Sequence, residues 1–123
     1  EKKAVEEYAM EQVEKIWTAK GWKVKDVHKN KKVGCDFICS KDNQSVYCEV
    51  KGTTQGGSSV ILTYLEVIRM KKRYPNTALD VVYDIKLDKS KDPPIATSGK
   101  IKGKFPWKIK DDKLTVKAYD YKV

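Results

Sequence analysis

The sequence predicts an α/β fold with the element order α, β, β, β, α, β and a β-rich C-terminal extension. Residues 2–20 repeat apolar side chains at the helical spacing i, i+3, i+4 and i+7. Three short stretches that follow, 22–27, 36–39 and 46–51, alternate or run apolar as strands do. A capping-box pattern then marks the start of a second helix at 64–73.

The first helix is predicted to end at Gly21 and to bury one face. Glu6 is the one acid on that face, and we expect it to point inward. The alternative is an acid that is solvated in the first turn, where the helix dipole favours a negative charge. The predicted face consists of Glu6, Ala9, Met10, Val13, Ile16 and Trp17.

Two of the predicted strands form a hairpin. Asp36 begins the apolar run 37–39, and the next strand covers 46–51. The polar linker 41–45 between them has the composition of a turn, and the basic run 29–32 makes another turn ahead of Asp36. We expect the hairpin to bring Asp36 beside the second strand.

An acid and a lysine lie two residues apart on that second strand. Because successive side chains of a strand point to opposite faces, Glu49 and Lys51 share one face with Tyr47. With Asp36 they place two acids and a lysine where a metal-dependent nuclease needs them. The alternative is an exposed ion pair beside an aspartate that serves only a turn. The opposite face of the strand holds Val46, Cys48 and Val50.

A flexible Gly- and Ser-rich loop, 52–59, follows Lys51 and is short enough to border a site rather than to link domains. Thr63 caps the second helix with Glu66 at its third position, and Pro75 stops that helix. A strand follows at 78–87. The remaining tail, 99–123, alternates well enough for further short strands.

The charge balance suits a polyanionic partner. The chain has 26 Lys and Arg against 17 Asp and Glu, a formal net charge of +9. Lysines that neutralise phosphates release counterions whatever the base sequence, whereas the alternative is that they only keep the protein soluble. We expect phosphate contacts from the 29–32 turn and the second helix. The candidate nucleic-acid-binding residues are Lys29, Lys31, Lys32, Arg69, Lys71, Lys72 and Arg73.

Several classes of protein are disfavoured. Residues 1–123 suffice for one domain, and no apolar run approaches the ~20 residues of a membrane span. The first residues lack the apolar core of a signal peptide, so we expect a cytoplasmic protein. The chain does not begin with Met, which suggests a segment of a longer protein.

The remaining reactive side chains indicate no other site. His28 has no clear serine or cysteine partner and is interpreted as a surface residue at a strand end. The loop after Lys51 lacks the ending of a phosphate-binding loop. The three cysteines lack CxxC spacing, and we expect them to be buried and reduced: Cys35, Cys39 and Cys48.

The order of these motifs resembles one known family, the carboxy-terminal domain named after the plant protein NO VEIN. The resemblance covers nearly the whole chain, and through it the chain resembles the PD-(D/E)xK superfamily of restriction endonucleases and junction resolvases. It implies a restriction-endonuclease-like αβββαβ core with a mixed central sheet flanked by helices. It rests on the runs 4–10, 35–39, 48–54, 62–67, 84–87 and 106–107.

The resemblance also implies roles for individual residues. Asp36 and Glu49 would bind Mg²⁺, with Mn²⁺ as a substitute, and the backbone carbonyl of Val50 would add a third oxygen. Lys51 would hold or activate the attacking water, and Glu6 would support a metal-bound water from the first helix. The sequence departs from the expected pattern at Tyr64, where a polar residue is expected, and in the Gly- and Ser-rich loop.

Two functions from different classes follow. The first is a Mg²⁺-dependent endonuclease domain that hydrolyses phosphodiester bonds, with DNA as the expected substrate, as the effector of a restriction, antiviral defence or DNA-processing protein. The sequence does not decide between DNA and RNA. The resemblance implies helicase, ATPase or other defence domains in that larger protein, and cutting both strands of a duplex suggests a homodimer. The second is a catalytically inactive module of the same fold that binds nucleic acid or docks a partner.

Overall fold

The computed structural model describes residues 1–118 and 121–123. Within them the chain follows the predicted order α, β, β, β, α, β before three further short strands. A short 3₁₀ helix, Asp111–Lys113, comes last. The elements are α1 (Lys2–Ala19), β1 (Lys23–Asp26), β2 (Phe37–Lys41), β3 (Gln44–Gly52), α2 (Tyr64–Arg73), β4 (Thr77–Tyr83), β5 (Lys86–Asp88), β6 (Ile95–Thr97) and β7 (Lys100–Lys104).

Five strands form one mixed sheet in the order β1-β2-β3-β4-β7. All neighbouring pairs are antiparallel except β3 and β4, which are parallel. A parallel pair needs a crossover connection, and the segment that contains α2 supplies it. Strands β5 and β6 pair separately as a two-stranded ribbon. The predicted hairpin is confirmed, with Asp42 at a φ of 54° in its turn.

The helix α1 covers one face of the sheet. Its buried residues Val5, Ala9, Val13 and Trp17 follow a spacing of four residues. They pack against apolar side chains of β2, β3 and β4, which include Phe37. The expected alternation of β3 is confirmed, because Val46, Cys48 and Val50 all belong to this core.

The prediction that Glu6 points inward is wrong. Its side chain is 59% exposed, and its carboxylate lies 3.9 Å from the ammonium of Lys2. Val5 occupies the buried position instead, whereas Met10 and Ile16 are only partly buried. The buried stripe is rotated from the predicted one, because a four-residue repeat starting at Val5 leaves Glu6 about 100° around the helix.

The second helix packs on the opposite face around Met70. Its predicted capping box is present: the Thr63 hydroxyl accepts a hydrogen bond from the Glu66 N–H at 3.1 Å. A Glu66 carboxylate oxygen accepts one from the Thr63 N–H at 2.8 Å. Cys35 and Trp107 complete this second core with Val27.

The C-terminal half contains fewer strand residues than predicted. The predicted strand 78–87 breaks at Asp84, whose φ is 53°, so that β4 ends at Tyr83. Residues 105–118 form no strand. The segment is fixed at Trp107, whose indole is buried and whose backbone N–H donates to the Thr77 carbonyl at 2.8 Å. The predicted tail strand also includes residues 119–120, which lie outside the described residues. No helix among the described residues is long and apolar enough to cross a membrane.

A buried acid, Asp80 on β4, connects the helix α1 with the sheet. One of its carboxylate oxygens accepts a hydrogen bond from the indole N–H of Trp17 at 2.9 Å and from the thiol of Cys48 at 3.1 Å. The other oxygen lies close to Gly103 on β7, where an added Cβ would approach it to 2.5 Å. Donors from two elements therefore compensate for the burial of this carboxylate.

Replacing Trp17 should destabilise the protein more than replacing its neighbour. Trp17→Phe keeps an aromatic ring but removes a buried donor to Asp80, at a cost of about 1–3 kcal/mol. Trp22 packs edge-on against Trp17, with 5.0 Å between ring centroids, and Trp22→Phe is the matched control. Urea unfolding curves of both variants measure the difference. Equal losses of unfolding free energy would show that the hydrogen bond to Asp80 contributes nothing.

Candidate active site

The open end of the hairpin positions the first candidate ligand. The backbone N–H of Asp36 donates to the Cys48 carbonyl at 3.1 Å. Its side-chain oxygen Oδ2 accepts a hydrogen bond from the Val50 N–H at 2.8 Å. These two bonds hold Asp36 opposite the middle of β3, so the predicted approach of Asp36 to Glu49 is present.

The carboxyl group of Glu49 is buried and incompletely satisfied. Glu49 is 3% exposed, and among the described residues its Oε2 atom has no hydrogen-bond partner. Burial raises its pKa to about 10, and a hydrogen bond with Asp36 and the negative charges of Asp36 and Glu66 act in the same direction. The ammonium of Lys51 opposes this shift of the pKa. In the absence of a metal, Glu49 is therefore protonated at neutral pH.

The donor set around Glu49 suits a divalent cation. Two carboxyl groups lie together, one of them with a buried oxygen that lacks a partner. A hard cation such as Mg²⁺ prefers oxygen ligands and needs only one or two carboxylates, because it retains several waters. A cation would also allow Glu49 to ionise beside Asp36, because its positive charge offsets the repulsion between the two carboxylates. The residues present therefore fit a magnesium ion.

Lys51 is held by the second helix. Its Nζ donates to both carboxylate oxygens of Glu66, at 3.1 and 3.3 Å, and its side chain is 24% exposed. Glu66 was predicted only as a helix cap. In the sequence, the capping box follows the strand that contains Lys51, and this order is the one sign of a second role for Glu66. The two charges meet only because the chain crosses over from β3 to α2.

The side chain of Glu6 does not point toward the paired carboxyl groups of Asp36 and Glu49. It borders the same cleft as Asp36 and Glu49, but its side chain faces solvent beside Lys2. Among residues 1–118 and 121–123, no three His, Cys, Asp or Glu side chains are grouped to hold a metal ion. The support that Glu6 would give to a metal-bound water stays a prediction.

A cleft of about 1340 Å³ opens above the paired carboxyl groups. The N-terminal half of α1 forms one wall, and the Gly- and Ser-rich loop with the start of α2 forms another. The close approach of α1 to β3 depends on Gly52, where an added Cβ would lie 2.8 Å from the Cβ of Ala9. The cleft is large enough to admit a section of an extended polymer.

His28 lines this cleft, although its exposure agrees with the surface position predicted for it. Its Nδ1 lies 2.5 Å from Oδ1 of Asp26, and the same oxygen accepts the His28 backbone N–H at 3.0 Å. Slight burial acts to raise the pKa of Asp26, but the hydrogen bonds from His28 lower it overall. Asp26 thus fixes the orientation of a histidine at the rim of the cleft.

Three candidate phosphate-binding residues lie on the turn before β2. The turn at Lys29, Lys31 and Lys32 is present, and all three side chains are exposed. Lys29 also lines the cleft. The exposure of these lysines is established, and their binding to phosphates stays a prediction.

Three members of the basic cluster on α2 contact other parts of the protein. The guanidinium of Arg73 donates to the Val33 carbonyl at 2.5 Å and lies 4.1 Å from the ring centroid of Tyr47. Lys71 forms an ion pair with Asp111. Arg69 packs so closely on Gly34 that an added Cβ there would overlap its guanidinium. Lys71 and Lys72 are exposed, whereas Arg69 and Arg73 are only partly exposed. Phosphate binding by this cluster stays a prediction.

The three cysteines are free and buried, as predicted. Burial raises the pKa of Cys35 to about 11 and that of Cys39 to about 12. Burial also raises the pKa of Cys48 well above its ordinary value, and the carboxylate of Asp80 adds to that shift. These thiols are neutral and take no part in the candidate site.

The raised pKa of Glu49 makes the stability of the metal-free protein depend on pH. A carboxyl group with a higher pKa in the folded state stabilises the fold fully below its unfolded pKa, and that contribution is lost as pH rises toward the folded value. For Glu49 this window runs from 4.5 to about 10. We expect the free energy of unfolding to fall from about pH 5 to about pH 9, by at most about 1.4 kcal/mol per pH unit.

Urea unfolding in EDTA across this pH range measures the slope. Glu49→Gln keeps the shape of the side chain but cannot ionise, so it should flatten the dependence of the unfolding free energy on pH. Glu6→Gln, which removes an exposed acid, is the control and should retain that dependence. An unchanged slope in Glu49→Gln would contradict the assignment of this titration to Glu49.

Comparison with protein-family models matches residues 5–97 to the family described as protein NO VEIN, C-terminal. A search of curated proteins and a search of solved structures found no match. The matched segment covers well over half of the chain and includes Asp36, Glu49, Lys51 and Glu66. The chain therefore belongs to the NO VEIN C-terminal family.

Proposed function

We propose that this domain is a Mg²⁺-dependent nuclease that hydrolyses phosphodiester bonds. The observation that carries the proposal is the buried carboxyl group of Glu49, whose Oε2 atom has no partner among the described residues although a second carboxylate adjoins it. Unpaired buried polar atoms are rare in folded proteins and often mark functional sites. An open cleft and an anchored lysine accompany this group.

The metal would be held by Asp36 and Glu49, with the backbone carbonyl of Val50 as a third oxygen. When bound, Mg²⁺ lowers the pKa of water and offsets the charge that develops on a phosphate. The cation would also replace the proton of Glu49, because a metal ligand must be ionised to bind.

The chain's own residues would orient the reaction. Lys51 presents an ammonium on the same face of β3 as Glu49, and Glu66 restricts its movement through two hydrogen bonds. A fixed positive charge stabilises a developing phosphate charge better than a mobile one. Lys51 would hold the attacking water and the phosphate, while Asp36 keeps β2 and β3 in register through Val50.

The proposal includes a restriction-endonuclease-like fold for this domain. A five-stranded mixed sheet between two helices, with the order α, β, β, β, α, β, is compatible with a restriction-endonuclease-like core. We propose DNA as the substrate, a defence or DNA-processing protein as the setting, and helicase or ATPase domains as its neighbours. A homodimer would supply the second active site that a double-strand break requires.

One observation favours a second candidate function. Glu6 faces solvent, and the described residues contain no group of three acids or other side-chain ligands for a metal. A domain with only two carboxylates could bind a nucleic acid or a partner without cutting. The two functions differ in a direct test.

Nicking of supercoiled plasmid DNA in Mg²⁺ or Mn²⁺ is the expected activity. Asp36→Asn and Lys51→Ala should each reduce the rate by at least about 100-fold, because each removes a group that acts on the reacting phosphate or on its metal. Both variants should retain salt-sensitive DNA binding. Glu11→Gln, on the exposed side of α1 and outside the cleft, is the control and should cut at the parental rate.

The outcomes separate the candidates. Equal activity in Asp36→Asn and the parent would exclude this active site. Binding of DNA without cutting by the parent, even with Mn²⁺, would favour the inactive module. Glu6→Gln tests the remaining role, since support of a bound water predicts a smaller loss of rate than Asp36→Asn.

A further inference from the structure

A second groove of about 410 Å³ lies on the α2 side of the sheet, between β4, β7 and the segment that follows β7. Apolar side chains form its floor, among them Leu79, Trp107 and Ile109. Five lysines line it, and we call it the lysine groove: Lys102, Lys104, Lys108, Lys110 and Lys113.

Acidic side chains do not compensate the lysine groove within residues 1–118 and 121–123. None of the described residues that line it is acidic. In the part of the chain that the structure describes, none of its five lysines forms an ion pair with a carboxylate. Asp111, which is the nearest acid in sequence to two of them, pairs with Lys71 instead. The groove therefore presents a concentrated positive charge above an apolar floor.

The lysine groove is continuous with the cleft. Ser58, Ser59 and Val60 line both of them, so the two meet across this loop. The loop lies directly on the sheet at Gly57, where an added Cβ would lie 2.9 Å from the Cβ of Tyr83 and 3.0 Å from Cε of Lys102. A polymer that leaves the cleft over this loop would enter the groove.

We propose that the lysine groove holds the continuation of one nucleic-acid strand whose scissile phosphate lies in the cleft. Lysines along a groove neutralise successive phosphates, and apolar surface accepts the faces of bases and sugars without regard to sequence. The proposal rests on the proposed function for the identity of the polymer. The five groove lysines lie beyond residue 97, where the family match ends, whereas part of the groove floor, such as Leu79, lies within the matched segment.

The groove adds basic surface to the lysines that are exposed on α2. Arg69 and Arg73 contact other parts of the protein, whereas Lys102 and Lys104 of the groove are exposed on the edge strand β7. The ammonium of Lys102, which is an exposed residue, lies 5.0 Å from the ring centroid of Tyr83, and this contact restrains the side chain. A partly restrained lysine loses less conformational freedom when it binds a phosphate.

The test compares DNA binding by two double variants. One removes two lysines of the groove, and the other removes two lysines of the opposite edge strand, β1. The groove variant is Lys102→Ala with Lys108→Ala, and the matched control is Lys23→Ala with Lys25→Ala on β1. Binding of a fluorescein-labelled 30-nucleotide single strand is measured by anisotropy in EDTA at several salt concentrations. Because no metal is present, the result is independent of cutting.

We expect the groove variant to bind about 10-fold more weakly at 0.1 M salt and to lower the slope of log K against log salt by about 1.4, or about 0.7 for each lost phosphate contact. The control should match the parent. Equal losses in both variants would overturn the proposal and assign binding to net charge. Loss of binding to poly-glutamate, with DNA binding unchanged, would overturn it in favour of an acidic polypeptide.

Failure of the parent to bind DNA would also overturn the proposed groove. Failure of the parent to cut plasmid DNA, with the groove effect on binding intact, would instead overturn only the nuclease. The two proposals therefore fail by different measurements.

Discussion

The hydrogen bond from the Val50 N–H to the Asp36 carboxylate is the constraint on which the candidate site depends. It ties the first residue of the hairpin to the central strand after the regular pairing of β2 with β3 has ended at Phe37 and Cys48. The side chain of Asp36 thus acts as part of the sheet. Without this bond the backbone of Asp36 would still pair with Cys48 and Val27, but its carboxylate could turn away from Glu49.

The site concentrates negative charge where the fold can least solvate it. Glu49 lies on a central strand beside Asp36, with Glu66 close enough to affect its pKa, and Lys51 is the cation that faces them. A metal-free protein resolves this by keeping a proton on Glu49. Proteins tolerate such costs at functional sites, where a ligand later compensates the buried group.

Local chemistry decided which parts of the fold could be predicted. The alternation of β3, the turn of the hairpin and the capping box at Thr63 depend on neighbouring residues, and all three are present. The predicted orientation of Glu6 was wrong because the sheet beneath a helix sets which residues its buried stripe includes. Near Val5, residues on two faces of the helix fit the helical period, so the period alone did not show which face is buried.

Contacts distant in sequence account for the rest. The ion pair of Lys51 with Glu66 needs the parallel crossover, and the burial of Asp80 needs the indole of Trp17, 63 residues away. The charge of Arg73 indicates a surface residue until Tyr47 and the carbonyl of Val33 are placed around it. The number of lysines led to the prediction of a polyanionic partner, but it could not show which lysines remain without an ion pair.

The three buried thiols are divided between the two faces of the sheet, so that each face contains its own probe of local unfolding. Cys35 lies in the core beneath α2, whereas Cys39 and Cys48 lie in the core beneath α1. Only the thiolate reacts with alkylating reagents, and burial keeps all three as thiols. Each cysteine can therefore be labelled only while its own layer is open. The order of labelling would report which helix detaches first.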